Sequence, residues 1–217
     1  MTGKNEDLRR TVLNELAWDP TFDATHIGVA ADNGVVTLTG HVTTYAEKLA
    51  AERAAQRVTG VRGIAEEIEV RPSYAKKTKD DEIAERAVRI LQWDVSVPPG
   101  RISVKVEKGW VTLTGSVDWD YQRGAAAADI QKLSGVVGLM NLIKVQPAVR
   151  AADVKQKIED AFRRNAVLDA GEIRVSAVDG TITLNGRVRN WAERNTAERA
   201  AWSAPGVTAV EDHLLVG

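Results

Sequence analysis

Cysteine is absent from the 217 residues. That excludes disulfides, thiolate metal sites and cysteine nucleophiles, and it leaves the redox compartment open. No run of eighteen uncharged apolar residues occurs, so no membrane-spanning helix is expected. The opening MTGKNEDLRR holds no apolar stretch of the kind a secretory signal carries. A cytoplasmic location is the expectation for the chain as written, with the periplasm as the alternative if a signal has been trimmed. Neither sign of charge dominates: 29 basic and 30 acidic residues give a net charge of −1. The chain as a whole therefore has no strong attraction for polyanions, and nucleic acid is not an expected partner. No Gly-x-Ser-x-Gly segment and no phosphate-cradling glycine loop followed by Lys-Ser/Thr is present, so neither an enzyme nor a cofactor is expected. What is present is ordinary globular material, 44% hydrophobic and 27% charged, enough to build packed cores.

That material is one unit written three times. The segments Gly34-VVTLT-Gly40, Gly109-WVTLT-Gly115 and Gly180-TITLN-Gly186 are offset by 75 and 71 residues. Twenty residues after each closing glycine stands a Gly-Val pair, at Gly60, Gly135 and Gly206, and a further valine follows at Val70, Val145 and Val216. Internal self-similarity of this kind defines the architecture before any element is assigned. Three homologous domains are expected at 1–71, 72–147 and 148–217. Their net charges are −3, +2 and 0, and the excess of the second comes with Lys76, Lys77 and Lys79.

Each repeat reads alike. Leu8, Val12 and Leu16, then Ile83, Ala87 and Leu91, then Val154, Ile158 and Phe162 recur every four residues, as on one face of a helix. Alternating apolar residues follow, Ile27-Val29-Ala31, Ile102-Val104-Val106 and Ile173-Val175-Ala177, marking a strand with one covered face. A tight x-Gly turn leads to a second strand with Val36 and Leu38, Val111 and Leu113, or Ile182 and Leu184 on that face. The next helix has a capping box at Thr44/Glu47 and at Asn190/Glu193, with Asp118 read as the cap in the middle repeat. Its buried stripe is small, largely alanine. A last strand ends at the repeat's final valine. The fold class is α+β: three tandem αββαβ domains, each a three-stranded mixed sheet with two helices on one face.

The order Gly-x-Val-x-Leu-x-Gly, then a polar-to-alanine helix, Gly-Val and a hydrophobic strand resembles the BON domain, named for bacterial osmotically induced and nodulation proteins. The middle repeat, with Gly109-WVTLTGSVDWDYQRGAAA and Gly135-VVGLMNLIKV, is most similar; the third departs at Asn185, Pro205 and Arg164. The resemblance implies a non-enzymatic module that binds phospholipid or membrane surfaces and is linked to osmotic or envelope stress. It also implies an alternative, a soluble protein binding a protein partner or a small solute, with potassium the solute in one group of relatives.

Few residues carry chemistry. His26, His41 and His213 fall at different repeat positions, so they share no metal site and read as surface residues. Glu66, Asn141 and Asp212 share one position on the covered face of the last strand; the alternatives are a bulge, a satisfied side chain, or an oxygen ligand for a hard cation. Trp18 and Trp93 are equivalent and read as packing. Trp110, Trp119, Tyr121 and Trp202 are aromatic where the other repeats are not. They suit either an interface between repeats or an external contact. The candidate lipid- or partner-binding set is therefore Trp110, Trp119 and Tyr121 with Lys76, Lys77 and Lys79. The partner it implies is an anionic phospholipid or membrane surface, or a protein.

Overall fold

The computed structural model describes residues 2–73, 78–147 and 153–217. The first repeat contains α1 (Thr2–Trp18), a single 3-10 turn, β1 (Ile27–Asp32), β2 (Val35–Val42), α2 (Tyr45–Gln56) and β3 (Gly63–Val70). The second has α3 (Asp80–Trp93), β4 (Ile102–Glu107), β5 (Trp110–Val117), α4 (Asp120–Gln131) and β6 (Gly138–Val145). The third has α5 (Val154–Arg164), β7 (Ile173–Val178), β8 (Thr181–Val188), α6 (Trp191–Trp202) and β9 (Ala209–Val216). Three separate three-stranded sheets result, ordered β1-β2-β3, β4-β5-β6 and β7-β8-β9. In the first and third, the hairpin strands pair antiparallel and the last strand joins the second in parallel after the helical crossover.

The hairpins close on a left-handed pair of residues: Asn33-Gly34, Lys108-Gly109 and Asp179-Gly180 all have positive φ. That pair gives a two-residue turn the twist its flanking strands need. In the first two repeats the first helix holds the turn. Asn5 Oδ1 accepts from the Asn33 amide at 3.0 Å, and the equivalent Asp80 accepts from Lys108 and Gly109 at 2.6 and 2.8 Å. At the far end of the second strand, a Cβ on Gly40, Gly115 or Gly186 would lie 1.9–2.0 Å from the carbonyl oxygen opposite. Only glycine lets the backbones approach so closely.

In the first repeat Val12 and Leu16 meet Val36, Leu38, Ala51, Ala55 and Ile68, all buried, and the alanines let α2 lie close on the sheet. The expected stripes hold in the other repeats, except that Ala177 is exposed near the end of β7.

Two of the expected caps differ. Asp118 does not cap α4: its carboxylate takes Arg101 Nη1 at 2.9 Å, and Gln122 Oε1 accepts from the Asp118 and Trp119 amides at 3.0 Å. At α6, Asn190 accepts from the Glu193 amide at 2.9 Å, but Glu193 reaches past it to the amides of Arg189 (2.7 Å) and Asp169 (3.0 Å). The box at Thr44 and Glu47 is complete. An acceptor three residues into the helix, Glu47, Gln122 or Glu193, is thus the shared device.

By compactness the residues group into two units, one of 1–86, 106–111 and 130–139, the other of 87–105, 112–129 and 140–217. The second repeat contributes to both. Within the first unit a backbone hydrogen bond from Leu139 reaches Tyr45, whose phenol burial pushes above its usual range. Within the second, the Arg123 guanidinium lies 4.4 Å over the Trp202 ring.

Candidate functional site

The polar position on the last strand turns out to be satisfied internally. Glu66 pairs with Lys48 at 2.6 Å, and its other oxygen accepts from the Ile68 amide at 2.6 Å. Asp212 pairs with Arg194 at 2.8 Å and accepts from the Leu214 amide at 2.8 Å. Lys48, Arg123 and Arg194 are equivalent, so in two repeats a strand carboxylate holds a helix cation. In the middle repeat Asn141 carries no charge. It accepts from the Ile143 amide and donates to the Arg123 carbonyl, each at 3.2 Å. The Arg123 guanidinium turns instead to Asp120 and to the face of Trp202. Trp202 is buried, which accounts for one of the extra aromatics as packing between repeats.

His26 closes the 3-10 turn before β1 and His41 lies on β2, and their rings stack with centroids 4.7 Å apart. Among the described residues no group of three or more His, Cys, Asp or Glu is placed to hold a metal ion. The one buried charge among them is Glu193, 1% exposed. Burial would raise its pKa, but the Arg189 side chain and the amides of Arg189 and Asp169 outweigh this and hold it below the usual range.

The aromatics expected at the surface are there. Trp110 is 53%, Trp119 38% and Tyr121 61% exposed. Trp110 opens β5 and its ring lies across Gly138, where a Cβ would meet three ring carbons at 2.6–2.7 Å. Lys79 is exposed beside the same hairpin, lining a shallow cleft with Lys108, Gly109 and Gly135. Lys76 and Lys77 lie outside the described residues. Trp119 and Tyr121 instead stand at the other end of β5, where it turns into α4. An eight-residue strand spans on the order of 25 Å, so the four described candidates do not form one cluster. Lys79 and Trp110 go together at the hairpin end, and Trp119 and Tyr121 at the opposite end.

Trp18 and Trp93 are a correction. They do not pack; they are 83% and 85% exposed. Each stands two residues past the last core position of its helix, Leu16 or Leu91. Two residues turn a helix by about 200°, so the ring points away from the core. That spacing was the signal, and Val95, fully exposed just beyond Trp93, belongs with it. Met140 and Leu142 on β6 are further exposed apolar residues that sequence reading missed. Their alternation with the covered Asn141 and Ile143 would have found them.

Three αββαβ units in tandem define the class as a repeat protein of small α+β domains. The BON domain family model matches residues 4–72, 79–147 and 150–217, and the chain belongs to that family. A curated relative, osmotically-inducible protein Y of Escherichia coli (strain K12), is 30% identical over 130 residues, covering 57% of this chain and 63% of that protein. The matched region thus leaves more than a third of that relative uncovered. Among solved structures, two of CdsD, a structural protein of the type III secretion system of Chlamydia trachomatis, align over 97% of this chain and 92% and 98% of theirs. They are 15% and 16% identical with TM-scores of 0.25 and 0.27, too low to inform fold or function. No helix among the described residues is long and apolar enough to cross a membrane.

Proposed function

We propose that this is a non-catalytic binding protein of osmotic or envelope stress that associates with anionic phospholipid surfaces through its second repeat. Membership of the BON family and the name of the Escherichia coli relative support the physiological setting. The observation that carries the lipid reading is a concentration of exposed apolar residues. Among the described residues, eight of the thirteen large ones lie in the second repeat: Val88, Trp93, Val95, Trp110, Trp119, Tyr121, Met140 and Leu142. That repeat is also the only one with a net positive charge. Reversible membrane adhesion combines these ingredients, since each alone gives marginal affinity. At about 1 kcal/mol per cation near an anionic surface, the charge alone gives weak, salt-sensitive attraction, and apolar contact must add to it.

The test is co-sedimentation of the full chain with phosphatidylglycerol-containing and pure phosphatidylcholine vesicles. Binding to the anionic vesicles that declines with added salt supports the reading. Equal absence from both pellets at low salt sinks it. A second reading, docking of a protein partner, is favoured by the β5–α4 end. There exposed Trp119 and Tyr121 are flanked by Asp118 and Asp120, whose carboxylates pair with Arg101 and Arg123 and leave no surplus of positive charge for an anionic surface.

A further inference from the structure

In every repeat the helices cover one face of the sheet and leave the other bare. The first and third sheets share one register, with Thr37 between Ala30 and Ala65, and Thr183 between Ser176 and Glu211. The repeat offset carries that register to the middle sheet and sets Thr112 between Lys105 and Met140. The Trp110 ring over Gly138 agrees, because Val35 pairs with Gly63 and Thr181 with Ala209 at the equivalent place. Side chains two apart on a strand share a face, so Met140, Leu142 and Lys144 follow Gly138 along the bare side of β6.

Position by position, the middle face is unlike the others. Met140 stands where the first repeat has Ala65 and the third Glu211; Leu142 stands for Glu67 and His213. Lys144 replaces Glu69 and Leu215, and Lys105 replaces Ala30 and Ser176. Met140, Leu142, Lys105 and Lys144 are all exposed. An apolar line on β6 is thus bordered by lysines, on a face where Glu67 and Glu69 of the first repeat are replaced and only Glu107, at the position of Asp32, keeps a carboxylate.

We infer that the bare face of the β4-β5-β6 sheet, rather than the aromatic β5–α4 end, is the surface that lies against an anionic bilayer. This rests on the lipid reading above and says where on the repeat it happens. The charge decides the occupant. Lys105 and Lys144 outnumber Glu107 beside an apolar strip and match anionic headgroups over an acyl interior, whereas at the β5–α4 end Asp118 and Asp120 offset the charge of Arg101 and Arg123. Shape agrees: a three-stranded face about 10–15 Å wide and roughly 20 Å along β6 meets a flat partner without needing a groove.

The experiment uses the full chain and vesicles of phosphatidylglycerol and phosphatidylcholine. Three double variants are compared with the parent: Met140→Thr with Leu142→Thr, Lys105→Glu with Lys144→Glu, and Trp93→Ser with Trp119→Ser. The inference expects each face variant to bind about tenfold more weakly or worse, and the end variant to bind within about twofold of the parent. Because the chain has no cysteine, Leu142→Cys and Glu67→Cys each accept one environment-sensitive dye. Vesicles should shift the dye's emission at 142 and leave it unchanged at 67, a readout independent of any variant's stability. If the parent binds, the face variants bind equally well and the end variant does not, the face assignment is overturned while the lipid reading stands. If the parent binds neither vesicle, the lipid reading fails and this inference with it.

Discussion

Replacing Glu193 is the sharpest test of how the third repeat is held together. Its carboxylate is buried and accepts from the Asp169 amide at 3.0 Å, the Arg189 amide at 2.7 Å and the Arg189 guanidinium at 3.2 Å. It therefore joins the loop after α5 to the start of α6. Hydrogen bonds to a charged acceptor contribute about 1.5–3 kcal/mol each, less where water can replace the lost partner. Arg189 is largely exposed and is resolvated, so Glu193→Ala is expected to cost about 2–4 kcal/mol, and Glu193→Gln, which keeps one oxygen, about half. For a repeat of this size that is a large share of the total stability. Three linked repeats need not unfold together, so the assay is hydrogen exchange resolved by peptide across 153–217. The folded carboxylate sits below its unfolded pKa of 4.5. Its stabilisation is then complete above that value and is lost as the pH falls through the lower, folded one. The parent's third repeat should lose protection on acidification by more than the Ala variant's does. Unchanged exchange in 153–217 after Glu193→Ala would refute the reasoning.

Further outcomes are expected elsewhere. Gly115→Ala puts a Cβ 2.0 Å from the Arg101 carbonyl oxygen at a φ of 131°, and should destabilise the second repeat by about 3 kcal/mol or more in urea melts. Gly124→Ala, in α4 with nothing within 4 Å of the new methyl, should stabilise it by about 0.5–1 kcal/mol. Hydrogen bonds from the Thr21 hydroxyl, Arg57 and the Thr21 amide hold Asp19 at about 2, against an ordinary 3.8. Its contribution is present above pH 3.8 and lost as the pH falls through about 2, so Asp19→Asn should flatten that part of an acid titration of stability followed by circular dichroism.

The architecture was legible because it is written three times: an element misread in one repeat is corrected by the other two. Surface direction was less so. The shared position of Trp18 and Trp93 suggests packing, although equivalence shows only that two residues do the same thing, not that they are buried. Asp118 looked like a cap because aspartate often is one. Which partner a carboxylate takes depends on what the fold brings near, here Arg101 from the start of β4. The extra aromatics were found by comparing repeats, but their separation to opposite ends of β5 needed the strand's direction and length. β6 reads as nearly continuous apolar sequence, which hides Met140 and Leu142 unless the alternation with Asn141 and Ile143 is followed along the strand.

The central claim is that the second repeat is the one that meets lipid. Vesicles containing a photoactivatable phosphatidylglycerol, irradiated with the full chain and mapped by mass spectrometry, test it most directly. The account predicts adducts concentrated in peptides of 78–147, on β6 above all. Adducts spread evenly over the three repeats, or confined to 2–73 or 153–217, would contradict it.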